Sequence, residues 1–125
     1  MEHRRQLFRG GWRFLLNGGE YGGVRYLSEK SVRELTRKQT GDVKPPGHGA
    51  GNYYALGFLA VVEPQGSTAA LTQGSFGKGG AGGSITWVDP GTKTIYIMLQ
   101  NAWGGDKNLT QSTFLNTATK AIPSK

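Results

Sequence analysis

Gly74-Ser75-Phe76-Gly77-Lys78-Gly79-Gly80-Ala81-Gly82-Gly83-Ser84 runs directly into Ile85-Thr86-Trp87-Val88 and then into Asp89-Pro90-Gly91-Thr92. Six of the first eleven residues are glycine, with one lysine among them. The β-branched and aromatic run that follows reads as a strand, and the Asp-Pro-Gly that ends it reads as a hairpin connection. Glycine this dense beside a strand marks a place where a ligand or another part of the chain comes close to the backbone. Phe76 to Gly80 is expected to be a short strand holding Lys78, and Gly83 to Val88 the next. Lys93 to Asn101 follows as a third, with Ile95, Ile97 and Leu99 on one face and Tyr96 and Met98 on the other. Apolar residues on both faces predict a central strand covered on both sides.

The other elements extend outward from this core. Upstream, Tyr53 to Val62 is β-like, Glu63 to Ser67 is a turn, and Ala69-Ala70-Leu71 is expected to pair briefly. Residues 1–17 read as a helix, with Phe8, Trp12, Leu15 and Leu16 on one face. Gly10-Gly11 weakens it by about 1 kcal/mol per residue relative to alanine. Asn17-Gly18-Gly19 stops it. Glu20 to Gly23 turns the chain, and Val24 to Leu27 is extended. Ser28 caps a second helix over 29–38, with Val32 and Leu35 as its buried pair. Thr40 to Asn52 is a loop rich in Gly and Pro. Downstream, Ala102 to Gly105 is a loop and Asp106 caps a closing helix to about Ala121. Leu109, Phe114, Leu115, Ala118 and Ile122 are expected to face inward. The fold class is α+β, an antiparallel sheet flanked by N- and C-terminal helices.

Composition narrows the function classes. The chain has 125 residues, enough for one domain with a core, and 21 of them are glycine. It has no cysteine, which excludes disulfides, thiolate metal sites and a thiol nucleophile. No apolar run approaches the roughly 20 residues of a membrane span. The basic N-terminus is not followed by a signal-peptide apolar region. The formal charge of +7 gathers at Arg4, Arg5, Arg9 and Arg13, then at Arg33, Arg37, Lys38 and Lys44. No aromatic-basic interleaving or nucleic-acid motif accompanies it, so solvated helix faces explain it and nucleic acid is not an expected partner. A binding module using the basic N-terminal helix for an anionic partner is an alternative reading.

Several motif spacings occur here outside the contexts that their chemistry requires. Gly77 to Gly82 meets the spacing G-x-G-x-x-G, but a strand follows where a pyrophosphate site needs a helix N-terminus. Gly77-Lys78 lacks the Ser/Thr of a P-loop. Ser75-Phe76-Gly77-Lys78 satisfies S-x-x-K, which works when Ser opens a helix. Along an extended chain, residues three apart point to opposite faces, so this match reads as accidental. His48, in a Gly- and Pro-rich loop, and His3 read as solvated. Asp42, Asp89 and Asp106 sit at turns and caps, where Asp serves the backbone.

The ordered series Leu15-Leu16-Asn17-Gly18-Gly19-Glu20, Tyr26 to Val32, Leu56-Gly57-Phe58, Gly74 to Ser84, Trp87-Val88-Asp89-Pro90 and Gln100-Asn101 resembles the C-terminal part of serine β-lactamase-like hydrolases. That superfamily includes class C-type β-lactamases, D-Ala-D-Ala peptidases and related esterases. The resemblance covers roughly residues 13–122. It divides the chain into a divergent segment, 1–12, and a β-lactamase-like segment, 13–125. It implies that Lys78, Gly79 and Gly80 match the Lys/His-Thr/Gly-Gly strand beside the active site. Lys78 then binds a substrate carboxylate and supports the proton relay electrostatically. Ala81 matches the position whose backbone N–H forms half of an oxyanion hole, and Gly79, Gly80, Gly82 and Trp103 line the substrate. The resemblance implies no cofactor and no metal, and the parent family is often periplasmic or secreted.

The family's S-x-x-K nucleophile lies upstream on a helix, and a Tyr-x-Asn element lies between it and the Lys-Gly-Gly strand. No Tyr-x-Asn occurs here. The chain is therefore expected to be a fragment, a truncated product or one half of a split domain, inactive alone. It is expected to self-associate or to join a complementing N-terminal segment. If active, it would take a small-molecule ester or a β-lactam or peptide. Weak esterase or β-lactam hydrolase activity, using a residue such as Ser75, is the alternative.

Overall fold

A computed structural model describes residues 11–102 and 104–123. It is an α+β fold with a five-stranded antiparallel sheet, a small two-stranded hairpin and flanking helices. Helix α1 covers 11–16, and the part of the expected N-terminal helix at 1–10 lies outside the described residues. Gly18, at φ 66°, and Gly19, whose N–H donates to Phe14 O at 2.7 Å, end the helix where Asn-Gly-Gly predicts. Strands β1 (Glu20–Tyr21) and β2 (Val24–Arg25) pair through Gly22-Gly23, both at positive φ. A two-residue hairpin of this kind requires that conformation.

Helix α2 (Glu29–Thr36) starts at Ser28, whose Oγ accepts from Ser31 N at 3.0 Å. It stops two residues before the expected Lys38. Arg37 is already extended, and Gln39 leaves the helix to donate its N–H to Tyr54 O at 2.8 Å. Val32 is buried and Leu35 only half-buried.

The main sheet holds β3 (Asn52–Tyr54), β4 (Leu59–Val61), β5 (Phe76–Gly79), β6 (Ile85–Asp89) and β7 (Thr94–Met98) in that spatial order. The β-like run from Tyr53 to Val62 is thus two strands rather than one. An apolar sequence hides the turn, which is made by Gly57 at φ 80° and closed by Ala55 N donating to Phe58 O. Ala69 to Leu71 forms no strand. A 3-10 turn at Gly66–Thr68 continues into i→i+3 bonds that drop Leu71 into the core.

Helix α3 (Lys107–Ala121) is capped by Asp106, whose Oδ1 accepts from Leu109 N at 3.0 Å. Leu115 is its buried residue, with Phe114 and Ala118 half-buried beside it. Leu109 and Ile122, expected to face inward, are exposed. Leu109 lies in the first turn, off the stripe that Leu115 and Ala118 define, and Ile122 has left helical geometry.

Two apolar layers sandwich the sheet. On one face Leu59, Leu71, Trp87 and Tyr96 pack with Leu115 of α3. On the other, Phe76 and Val88 pack with Leu15 of α1 and Val32 of α2. The register explains the division. Leu59, Gly77, Trp87 and Tyr96 form one cross-strand row, and Ala60, Phe76, Val88 and Ile95 form the neighbouring row, which faces the opposite side.

The expectation of a central β7 is corrected: among the described residues β7 is an edge strand. Its two apolar faces arise from the two layers, not from neighbours on both sides. Tyr96 is buried, but Ile97 is 52% and Leu99 82% exposed.

Candidate active site

The glycines of the 74–84 stretch have separate reasons. A Cβ at Gly77 would lie 2.2 Å from Thr86 O and 2.6 Å from Trp87 Cε3, so here the approaching group is the protein's own. At Gly83, with φ 91°, a Cβ would lie 2.0 Å from Gln100 Nε2. Gly79 and Gly80 are different. The nearest atoms to a Cβ there belong to Ile85 and Ser84, at 3.7 and 3.9 Å, which is ordinary contact. Among the described residues no close neighbour demands glycine at these two positions.

The sheet itself opens beside them. The β4–β5 ladder ends at the pair Leu59↔Gly77, whereas β5–β6 continues to Gly79↔Ile85. Backbone groups on an antiparallel strand alternate between its two edges. Gly80 N donates to Ser84 O on the β6 side, and Ser75 O accepts from Val61 N on the β4 side. Gly79 therefore presents its backbone to the β4 side, past the point where β4 has ended. Among the described residues the Ala81 N–H has no protein acceptor. A strip of β5 from Gly79 toward Ala81 is a free edge.

The turn at its end is held firmly. Gly83 N donates to Gly80 O, Ala102 N to Gly82 O, Gln100 Nε2 to Gly83 O and Lys107 Nζ to Ala81 O, the last at 2.6 Å. Ser84 Oγ donates to Gln100 O and accepts from Gln100 N, at 2.9 and 3.0 Å. These contacts fix the backbone from Gly80 to Ser84 without using the Ala81 N–H.

Lys78 is exposed and opposes Thr86 on β6, which in turn opposes Ile97 on β7. Alternation places this row on the face of α1 and α2. A cavity of about 250 Å³ lies beside it, lined by His48, Tyr54, Phe58, Leu59, Lys78 and Gly79. A second cavity, of about 290 Å³, is lined by His48, Gly79, Gly80, Ala81, Trp87 and Lys107. Lys78, Gly79, Gly80 and Ala81 are thus grouped around one open strand edge. Gly82 lies in the turn beyond, and Trp103 lies outside the described residues.

Ser75 is fully buried, and among the described residues its Oγ has no hydrogen-bond partner. It lies three residues before Lys78, just ahead of β5, and it is buried whereas Lys78 is exposed. His48, read from the sequence as solvated, is exposed, and it borders both cavities. It lies in Gly47-His48-Gly49-Ala50-Gly51, whose three glycines all have positive φ.

No protein-family model matches the chain. Over 87 residues, 70% of its length, the chain is 32% identical to a protein of Mycobacterium tuberculosis named Esterase/beta-lactamase LipL. It spans 19% of that relative, about a fifth. The similarity points to a relationship with β-lactamase-like serine hydrolases.

Proposed function

We propose that the chain is a segment of a β-lactamase-like serine hydrolase that supplies one wall of an acyl-transfer site. The observation that carries this reading is the free edge of β5 at Gly79, beside the exposed Lys78 and the unengaged Ala81 N–H. A free strand edge offers an extended acyl group main-chain hydrogen bonds. A fixed backbone N–H without a protein acceptor can stabilise an oxyanion with no reorganisation. Lys78 supplies positive charge for a substrate carboxylate. Gly79 and Gly80 keep the edge free of side chains.

Acyl transfer also needs a positioned nucleophile and base. The chain has no S-x-x-K in a helix and no Tyr-x-Asn, and the buried Ser75 Oγ cannot reach solvent substrate without rearrangement. The segment is therefore a binding wall without turnover of its own, and its partner is a second copy or a complementing segment. Nitrocefin and p-nitrophenyl acetate hydrolysis by the chain test this reading. The expected rate equals the buffer rate. Turnover that disappears in Ser75→Ala would instead establish an esterase using Ser75.

A further inference from the structure

We propose that His48 is a binding residue of this same site, across the gap from Lys78, and that the two select a carboxylate-bearing ligand. This rests on reading the β5 edge as a site wall and extends that reading to its opposite bank.

The loop that carries His48 is fixed from within. Gly47, Gly49 and Gly51 have φ of 73°, 78° and 79°. A Cβ at Gly51 would lie 1.9 Å from Glu63 O, so the chain there is pressed against the exit of β4. Asn52 is buried, and its Nδ2 donates to His48 O at 2.5 Å. Its Oδ1 accepts from the buried Thr68 Oγ1 at 3.4 Å. The His48 ring itself is exposed and meets Tyr54 edge to face, with centroids 6.5 Å apart. A constrained backbone thus presents an imidazole to solvent near Leu59, the end of β4 beside the open β5 edge.

Chemistry of the two cavities gives the ligand class. Their lining residues include Lys78, Lys107, His48 and Tyr54 and contain no Asp or Glu. Lys107 is engaged with Ala81 O, and Tyr54, Asn108 and Gln111 add only neutral donors, so Lys78 and His48 are the cationic and imidazole groups facing the open β5 edge. Imidazole carries an N–H donor whether neutral or charged, so His48 can bind a carboxylate oxygen in either state.

The test uses the full chain, labelled with ¹⁵N, and two probes of one shape, 4-acetoxybenzoate and the uncharged 4-acetoxybenzamide. The benzoate is expected to move the amide signals of Gly79, Gly80 and Ala81 and the His48 ring-proton signals, and to bind more tightly than the benzamide. His48→Ala is expected to weaken the benzoate by about two- to fivefold, the range of an exposed charged contact, with little effect on the benzamide. His48→Gln keeps a donor and is expected to recover part of the loss. Benzoate binding that is weakened by Lys78→Met but unchanged by His48→Ala overturns the role of His48 and leaves the β5 wall standing. If neither probe moves the β5-edge amides, both readings fall. The ring-proton titration in the unaltered chain is a separate check, and static His48 signals during benzoate binding also overturn the proposal.

Discussion

Gly77 lies directly opposite Trp87, and the space a Cβ would need is already filled by the Trp87 ring and by Thr86 O. The contact brings β5 and β6 together under the aromatic core that α3 covers. It also sets the direction of the next residue, so that Lys78 leaves the opposite face. Gly77→Ala is expected to destabilise the fold by about 1–3 kcal/mol, the usual effect of overfilling a packed site. Urea denaturation followed by Trp fluorescence measures it. An unchanged midpoint would show that the Trp87 ring yields freely and that this glycine is not required.

Asp89 ends β6 fully buried. Its Oδ2 accepts from Thr72 N at 3.0 Å, and its Oδ1 accepts from Thr92 N at 3.2 Å and from Thr72 Oγ1. The carboxylate ties the β6–β7 turn to the loop before β5. Truncation leaves the part-buried Thr72 donors without their acceptor, and an unsatisfied buried donor costs about 1–3 kcal/mol. Asp89→Ala is expected to lower stability by at least that amount for one donor, and Thr72→Val by less, since Thr72 N keeps its bond. Equal losses in the two variants would mean that the hydroxyl carries the link.

These two positions show what could be read from residues alone. Asp89 was legible as a turn residue because Asp-Pro-Gly is local chemistry. Its bond to Thr72, seventeen positions away, had no local signal. The helix caps Ser28 and Asp106 were equally readable, since a cap needs only its own first turn. The position of β7 was not. Apolar residues on two faces report layers above and below, whereas edge or centre depends on what pairs beside the strand. At the candidate site, the strand holding Lys78 was legible from β-propensity and glycine. The gap beside it was not, because it depends on where β4 stops. The exposure of His48 is legible from its Gly-rich loop, but its position beside the β5 edge is not, because a lone histidine in such a loop has no periodicity. Its placement comes from the buried Asn52–Thr68 pair.

Ser75 separates catalysis from packing. Its Oγ is buried without a partner among the described residues, an arrangement that costs free energy rather than supplying it. Ser75→Ala is expected to leave stability unchanged or raise it by up to about 1 kcal/mol. The hydrolysis rate should not move. A loss of more than about 1 kcal/mol in the same urea titration would mean that the hydroxyl has a partner, such as a bound water.

The β7 edge carries the expectation of self-association. Thr94 to Met98 contains no proline and no charge, and its register against β6 runs without a bulge from Asp89↔Thr94 to Ile85↔Met98. Edge strands of monomers usually carry such protections, because a bare edge pairs with another strand. Ile97 and Leu99 extend an apolar groove of about 960 Å³ that also includes Trp12, Phe58 and Ile95. Two copies meeting antiparallel along β7 would pair both edges through one two-fold axis and join the two grooves. Light scattering is expected to report a dimer that tightens with concentration. Ile97→Lys, at a half-exposed position on that edge, should return the monomer with little change in stability. A compact monomer of the unaltered chain at high concentration would remove the support for self-pairing.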